Sequence, residues 1–320
     1  MLFALIYIPN SILNLFLACF LCDWYHVGMF ISDNWRDYRI IDAGDGEKLE
    51  RWGHITVIRP DPQIVWPRLK PDMWRDCHMH YHRSKDGGGR WQYVKKADKW
   101  TVSYGDLTFN IRPTDFKHMG LFPEQAANWD WMAGIIKGAK DAGRPVRVLN
   151  LFGYTGGATC CCLRAGAEVT HVDAAKGMNQ WAKENIAASG LTSLKCRILT
   201  DDVYKFVQRE KRRGSFYDGI VMDPPSYGRG PSGEVWKIEN RLYDLLCACV
   251  EILSERALFM LLNTYTTGFT GAAAENVMKL AFGSVLGERE ISTTSGPLGL
   301  PIGDSDLVLP CGVSVRCAIL

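Results

Sequence analysis

From Pro123 to the C-terminus, strand-forming and helix-forming segments alternate along the sequence. The predicted strands are 146–152, 168–172, 195–199, 219–222 and 257–263, with two closing strands at 291–294 and 313–320. The predicted helices are 123–142, 159–165, 177–188, 203–212 and 240–252. Single helices between strands require right-handed crossovers, which make neighbouring strands parallel. The sequence therefore predicts an α/β fold with a doubly wound, Rossmann-like sheet.

The composition is that of a folded chain long enough for about two domains. Its 320 residues are 47% hydrophobic and 22% charged, which excludes disorder and small disulfide scaffolds. The formal net charge of +2 gives no sign of a strongly cationic binder. The eleven cysteines, mostly in apolar runs, indicate reduced and buried thiols in a cytoplasmic protein. Cys19 and Cys22 form a C-x-x-C motif, but no second pair nearby would complete a zinc site.

The first 22 residues carry no charge, and 18 of them are apolar. Pro9 and several polar residues interrupt this stretch, and the first Lys or Arg is Arg36. A signal peptide or a membrane anchor would have basic flanks. Two interpretations remain: a weakly membrane-associated segment, or translated sequence upstream of a start near Met29. We therefore set residues 1–34 apart as an N-terminal extension.

Residues 35–115 are rich in strand and turn signals, which predict a small, mostly β domain. We expect this domain to serve in substrate recognition, for the reasons given below. Strand 54–59 ends at Pro60, segments 91–94 and 100–104 resemble a hairpin, and Gly105-Asp106 turns the chain into strand 107–111. The predicted catalytic domain then covers residues 116–320.

A glycine-rich loop follows the first strand of the large predicted sheet. In such sheets, ligands bind beyond the carboxyl ends of the strands. The loop 153–158, GYTGGA, lets the backbone approach a ligand and opens a helix whose first N–H groups are free. Asp173 ends the second strand, where a carboxylate can bind a ribose hydroxyl pair. These features together predict a nucleotide-type site, although the loop does not fit the G-x-G-x-x-G of dinucleotide binders.

The strongest chemical signal is the sequence DPPSY after the fourth strand. Its two prolines hold the backbone rigidly, so the Asp223 carboxylate and the Pro224 carbonyl can point to one place. Tyr227 can stack a planar target there. The alternative interpretation is a rigid turn at the end of a strand.

The loop resembles motif I of class I S-adenosylmethionine-dependent methyltransferases. The segments 149–157, 116–125 and 309–312 resemble one branch, which includes the bacterial large-subunit rRNA cytosine-C5 methyltransferase. The resemblance implies S-adenosylmethionine as cofactor, with segment 116–125 folded over it. It also implies that an acidic residue after the third strand contacts the adenine, and Asp202 is the better match. We expect the neighbouring Asp201 to cap the next helix. The candidate cofactor-binding residues are His118, Gly120, Phe122, Asn150, Phe152, Gly153, Tyr154, Thr155, Gly156, Gly157, Asp173, Ala174, Asp202 and Asp223.

The sequence departs from that branch at the catalytic cysteine. Cytosine C5 becomes nucleophilic only after a thiolate adds to C6, and in the branch this cysteine follows the fifth strand. Here that position reads LLNTYTTG (261–268), and we expect none of the eleven cysteines at another strand end that faces the site. The Asp223 element is better suited to a nitrogen target, because an exocyclic amine can donate hydrogen bonds to it.

The resemblance favours RNA, above all ribosomal RNA, as the substrate. Direct support comes from two basic stretches, Lys95 to Lys99 beside aromatic residues and Arg209 to Arg213, although the second also suits a solvated helix end. The alternating His78, His80 and His82 lack a thiol or carboxylate partner at a recognisable spacing, so we predict no metal. Four alternatives remain. Two are methyl transfer to a protein or small molecule, and cytosine-C5 methylation of rRNA as in the related branch. The other two are a nucleotide-binding, RNA-associated module without turnover, and an NAD-dependent dehydrogenase. The oligomeric state stays open.

Overall fold

The computed structural model describes residues 28–84, 88–95, 97, 99–287 and 290–320. The apolar segment 1–22, its Cys19/Cys22 motif and Lys96 lie outside the described residues. Within those ranges, no helix has both the length and the apolar composition needed to cross a membrane.

The elements alternate as the sequence predicts. The strands are β1 (Phe30–Ile31), β2 (Tyr38–Gly44), β3 (Glu47–Trp52), β4 (Ile55–Pro60), β5 (Met79–Arg83), β6 (Gly89–Tyr93), β7 (Trp100–Tyr104), β8 (Leu107–Ile111), β9 (Arg147–Leu151), β10 (Glu168–Asp173), β11 (Cys196–Thr200), β12 (Gly219–Met222), β13 (Tyr227–Arg229), β14 (Val235–Lys237), β15 (Phe259–Thr264), β16 (Ile291–Pro301) and β17 (Val308–Ile319). The helices are α1 (Ala126–Asp141), α2 (Gly157–Arg164), α3 (Lys176–Ala188), α4 (Val203–Arg213), α5 (Ile238–Val250) and α6 (Gly271–Leu286), with 3-10 turns at Pro71–Arg75 and Pro123–Gln125.

The large sheet confirms the predicted α/β class. In the part of the chain that is described, eight strands pair in the order β1-β16-β17-β15-β12-β9-β10-β11. The five central strands are parallel, and β17 runs antiparallel to both β15 and β16. β1 adds to the far edge of the sheet, so Phe30 and Ile31 pair with the sheet although they belong to the segment set apart above.

Two local predictions need correction. The predicted hairpin between 91–94 and 100–104 is wrong, because β6 pairs with β5 and β7 pairs with β8. The two-residue turn Gly105-Asp106, in which Gly105 has a φ of +56°, joins β7 directly to β8. Such a short turn closes a hairpin more readily than the longer connection between β6 and β7 would. Helix α6 occupies a stretch where the sequence indicated no element. The Thr270 hydroxyl caps it by accepting a hydrogen bond from the Ala273 N–H, at 3.3 Å.

A small five-stranded sheet, in the order β2-β3-β4-β5-β6, forms the separate N-terminal β domain. The β7–β8 hairpin lies against α3, where the Trp181 indole donates to the Asn110 carbonyl at 2.9 Å. Trp35 connects the small sheet to α1 and the turn before it, since its indole donates to the Pro123 carbonyl at 2.9 Å and packs on Trp129.

A buried ion pair stabilises the small sheet. The Arg59 guanidinium donates to both carboxylate oxygens of Glu50, at 2.5 and 2.7 Å, and the Tyr38 hydroxyl donates to the same carboxylate at 2.7 Å. Burial alone would raise the pKa of Glu50, but Arg59 and Lys48 outweigh it and lower the pKa to about 2. Arg59 also donates to the Lys117 carbonyl at 2.9 Å, so the pair holds the segment before α1 against the small sheet.

We expect Glu50→Ala to lower the free energy of unfolding by about 3–5 kcal/mol, because it leaves the Arg59 charge buried and unpaired. The measurement is urea unfolding at pH 7. Glu168→Ala, which removes an exposed ion pair with Lys195, is the control and should cost less than about 1 kcal/mol. Equal effects of the two substitutions would contradict a structural role for the buried pair.

Candidate active site

The loop after β9 has an unusual backbone. Phe152 and Tyr154 have φ angles of +54° and +50°, a region that side chains other than glycine rarely adopt. Gly156, with φ +84°, precedes α2, and no side chain caps that helix. The Thr155 hydroxyl donates to the Gly120 carbonyl at 2.5 Å and so connects the loop to the segment before α1. The strained residues therefore lie where the loop meets a cavity, as is common at functional sites.

Three of the predicted glycines allow close packing. A Cβ atom on Gly153 would lie 2.4 Å from the His171 ring, and one on Gly157 would lie 2.7 Å from the Trp129 ring. At Gly120, with φ +86°, it would lie 2.1 Å from the Trp181 ring. Gly120 and Gly156 are outside the cavity lining, so their role here is to shape the loop and its support.

Asp173 and Asp202 stand at the ends of neighbouring strands. Asp173 accepts hydrogen bonds from the Tyr154 and Ala175 N–H groups, at 2.9 and 2.8 Å. Burial raises the pKa of Asp173 above its usual range, although these two amides act against it. Asp202 caps α4 by accepting from the Lys205 N–H at 2.8 Å. The cap predicted for Asp201 is therefore wrong, because Asp201 instead forms an ion pair with Arg209.

The Asp223 carboxyl is partly buried and lies directly after β12. Burial, together with the neighbouring Glu124 carboxyl, raises the pKa of Asp223 to about 7. The turn that follows is held on both sides: the Trp236 indole donates to the Pro225 carbonyl at 2.6 Å, and the Ser226 and Thr266 hydroxyls are 2.7 Å apart.

Tyr227 lies on β13 with about half of its surface exposed, at 52%. Gly228, Arg229 and Trp236 of the same hairpin line the large cavity, whereas Tyr227 does not. The structure thus does not bring Tyr227 into the cavity lining, and Trp236 is the aromatic residue of this hairpin that lines it.

A cavity of about 1210 Å³ lies at the carboxyl edge of the sheet, between the loops and the small domain. Nine of the predicted residues line it: His118, Phe122, Phe152, Tyr154, Asp173, Ala174, Asp202, Asp223 and Pro224. A smaller cavity of about 60 Å³ shares part of this lining, and four further predicted residues line it: Asn150, Gly153, Thr155 and Gly157. The sequence thus predicted most of one continuous region.

A buried carboxyl that the sequence did not indicate lies on the same wall. The Tyr265 hydroxyl donates to Glu124 at 2.9 Å and accepts from the Gln125 side-chain amide at 2.9 Å. Burial raises the pKa of Glu124. The sequence indicated only a helix start at Pro123-Glu-Gln, and nothing in that pattern shows that the carboxyl turns inward.

Cys311 corrects the expectation about cysteines. It is buried on β17 and lines the large cavity, so one of the eleven does face the site. Burial, and then the Glu124 carboxyl, raise the pKa of the Cys311 thiol well above its usual range. Cys160, Cys161 and Cys162 lie within α2 and are buried, as predicted.

The predicted basic stretches are largely neutralised. Lys95 forms an ion pair with Asp76 at 2.6 Å, and Trp100 beside it is buried. Lys211 and Arg213 pair with Glu251 and Glu210, at 2.7 and 3.0 Å. These contacts favour the interpretation of 209–213 as a solvated helix end.

His80, on β5, has a carboxylate neighbour that the sequence spacing did not reveal. Its Nε2 atom lies 2.6 Å from the Glu47 Oε1 atom. In the described ranges, no three His, Cys, Asp or Glu residues are grouped so that they could hold a metal ion.

We expect Gly157→Ala to cost about 1–3 kcal/mol, because the new methyl group overlaps the Trp129 ring. Thermal unfolding should show a melting temperature lower by several degrees. Gly177, in the first turn of α3, has nothing within 4 Å of the corresponding position and provides the matched control. Gly177→Ala should be neutral or stabilising by up to about 1 kcal/mol. Equal melting temperatures for the two variants would contradict the packing argument.

The sequence profile of the S-adenosylmethionine-dependent methyltransferases matches residues 72–273. A solved S-adenosylmethionine-dependent methyltransferase from Agrobacterium tumefaciens is 38% identical, covers 90% of this chain and 92% of its own, and superposes with a TM-score of 0.85. A methyltransferase structure from Streptococcus mutans is 17% identical over 99% of this chain and 83% of its own, with a TM-score of 0.68, which shows the shared fold.

Curated relatives match over shorter stretches. The ribosomal RNA large subunit methyltransferase K/L of Syntrophotalea carbinolica is 25% identical over 190 residues, which is 58% of this chain and 25% of that protein. The ribosomal RNA large subunit methyltransferase I of Klebsiella pneumoniae is 39% identical over 82 residues, which is 25% of this chain and 20% of that protein. The matches thus span a quarter or less of the length of these relatives.

The cavity fits S-adenosylmethionine as cofactor. It combines a left-handed loop, an uncapped helix start and carboxylates after β10 and β11, which suit a ligand with hydroxyl and amino donors. The His118 and Phe122 ring centroids lie 5.5 Å apart and those of Phe122 and Tyr154 lie 5.3 Å apart, with tilted rings, and together they provide an aromatic wall. This chain belongs to the family of S-adenosylmethionine-dependent methyltransferases.

Proposed function

We propose that this protein methylates RNA, with ribosomal RNA the favoured substrate, at a base nitrogen held by Asp223 and Pro224. The observation that carries this proposal is the partly buried Asp223 carboxyl, which follows β12 on the wall of the large cavity beside two consecutive prolines. The names of the curated relatives, which are ribosomal RNA methyltransferases, support RNA as the substrate class.

Asp223 is suited to position an amine. An exocyclic amine would donate one hydrogen bond to the Asp223 carboxylate and another to the Pro224 carbonyl, and this orients its lone pair. When bound, S-adenosylmethionine supplies an electrophilic methyl group on a sulfonium centre. A pKa near 7 lets Asp223 be ionised in a large fraction of molecules at neutral pH and accept the proton that the methylated amine gives up.

Cys311 supports a second candidate, methylation at cytosine C5, because it places a thiol on the cavity wall. That reaction needs a thiolate, since the thiol itself is a poor nucleophile. Burial and the Glu124 carboxyl keep the Cys311 thiol protonated, which favours the nitrogen target.

We expect Asp223→Ala to lower kcat by about a hundredfold or more, because the target amine loses its charged acceptor. Affinity for S-adenosylmethionine, measured by calorimetry, should remain mostly intact. Ser226→Ala in the same turn is the control and should keep most of the activity. Parallel loss of turnover and of cofactor binding in the Asp223 variant would show that Asp223 acts on the cofactor instead.

We expect Cys311→Ala to keep most of the methyl transfer to RNA, because no thiolate takes part in transfer to nitrogen. Initial rates with radiolabelled S-adenosylmethionine measure this directly. Cys249→Ala, at a fully buried cysteine of α5, controls for general effects of losing a thiol. If Cys311→Ala abolishes turnover while Cys249→Ala and cofactor binding are unaffected, the covalent cytosine reaction is the correct one.

A further inference from the structure

One wall of the large cavity comes from the small domain and the segment before α1. Lys48, Arg59 and Lys117 line this wall together with Asp61 and Glu124. Asp173 at the end of β10, Asp202 after β11 and Asp223 after β12 line the cavity from the large sheet. We call the wall with the three cations the basic side of the cavity, and the side with these three carboxyls the acidic side.

Two of the three cations on this side have a carboxylate partner. The Arg59 guanidinium donates two hydrogen bonds to Glu50, and Asp61 lies 3.3 Å from the Lys48 nitrogen. The third carboxyl on this side, Glu124, accepts from the Tyr265 hydroxyl rather than from Lys117. The Lys117 ammonium donates to the Pro60 carbonyl at 3.2 Å. Within the described ranges, no carboxylate oxygen lies within 4.0 Å of that nitrogen.

Lys117 is partly buried, and burial lowers the pKa of its ammonium. An ammonium has three N–H donors, of which the Pro60 carbonyl takes one. A half-buried cation without a carboxylate partner is unfavourable unless a ligand supplies the negative charge. Lys117 thus has N–H donors available for a ligand, and an anionic ligand would stabilise the charge of its ammonium.

Burial and the same cations together lower the pKa of the neighbouring His118. Burial, and then the charges of Arg59, Lys117 and Lys48, lower the pKa of His118 to about 4. The imidazole is therefore neutral at physiological pH and leaves the positive charge at this wall to the three cations. Near His118, these three charges would repel a further cation and attract an anion.

The cavity also has room for more than one ligand. Pockets for a single drug-sized ligand usually measure about 300–1,000 Å³, whereas this cavity measures about 1210 Å³. A cofactor on the acidic side leaves space beside Lys117 and the Asp223 turn.

We propose that Lys117, in the field of Lys48 and Arg59, binds a backbone phosphate next to the target base, so that the substrate is a nucleotide within an RNA strand. This inference rests on the proposed function. It adds the recognition element that distinguishes a nucleic acid from a protein amide or a neutral small molecule. Lys117 acts in binding, whereas the chemistry belongs to Asp223 and Pro224.

The test uses the full chain with RNA from a strain that lacks this enzyme, and compares Lys117→Met, Lys117→Arg and Lys195→Met. Lys195 precedes β11 at the opposite edge of the sheet, where it pairs with Glu168, and provides the matched control. We expect Lys117→Met to raise KM for RNA by about tenfold and to leave kcat and the Kd for S-adenosylmethionine unchanged. Lys117→Arg should restore most of the affinity, and the control should behave as the wild type.

Salt dependence gives a second readout that a structural role would not change. RNA binding in the presence of S-adenosylhomocysteine should show a slope of log K against log salt that is smaller by about 0.7–1 for Lys117→Met. An unchanged KM and slope in an enzyme that methylates RNA would overturn the phosphate site and leave the proposed function standing. A joint loss of cofactor binding would also overturn it, because Lys117 would then support the cofactor pocket. Wild-type transfer to protein or a small molecule, with none to RNA, would overturn both proposals.

Discussion

The parallel register of β9 with its two neighbours creates the site. Leu151, the last residue of β9, lies opposite Val172 on β10 and Met222 on β12. The next residue of each strand is therefore Phe152, Asp173 or Asp223, and all three emerge at one edge. A register shift of one residue would turn these side chains to the other face of the sheet. The buried pairing of the central strands thus fixes the distance between the Asp173 and Asp223 backbones.

The small domain helps to hold the segment before α1, which lines the cavity opposite the large sheet. Arg59 bonds both to Glu50 within the small sheet and to the Lys117 carbonyl in the segment before α1. Trp35 bonds to the Pro123 carbonyl in the same segment. This segment carries His118, Phe122 and Glu124 to the cavity, so the buried ion pair of the small sheet helps to position residues of the catalytic side.

The features that the sequence predicted correctly are local or periodic. The strand–helix alternation gave the α/β class, and short motifs such as the 153–158 loop and DPPSY pointed to residues that line one region. Helix α6 was missed because its alanine-rich and apolar sequence has no clear amphipathic period. The burial of Glu124 and the inward position of Cys311 result from contacts between distant parts of the chain. Such contacts leave no pattern in nearby residues. The pairing of β6 with β5 instead of β7 likewise depends on which strands are available as partners, and the local sequence does not show this.

The proposed function requires Asp223 and Pro224 to hold a base nitrogen of RNA for methylation. Nucleoside mass spectrometry measures this on RNA from a deletion strain, after reaction with this protein and methyl-labelled S-adenosylmethionine. We expect the label in a nucleoside methylated on nitrogen, and no label with Asp223→Ala. Label in 5-methylcytidine, or in protein with none in RNA, would contradict it.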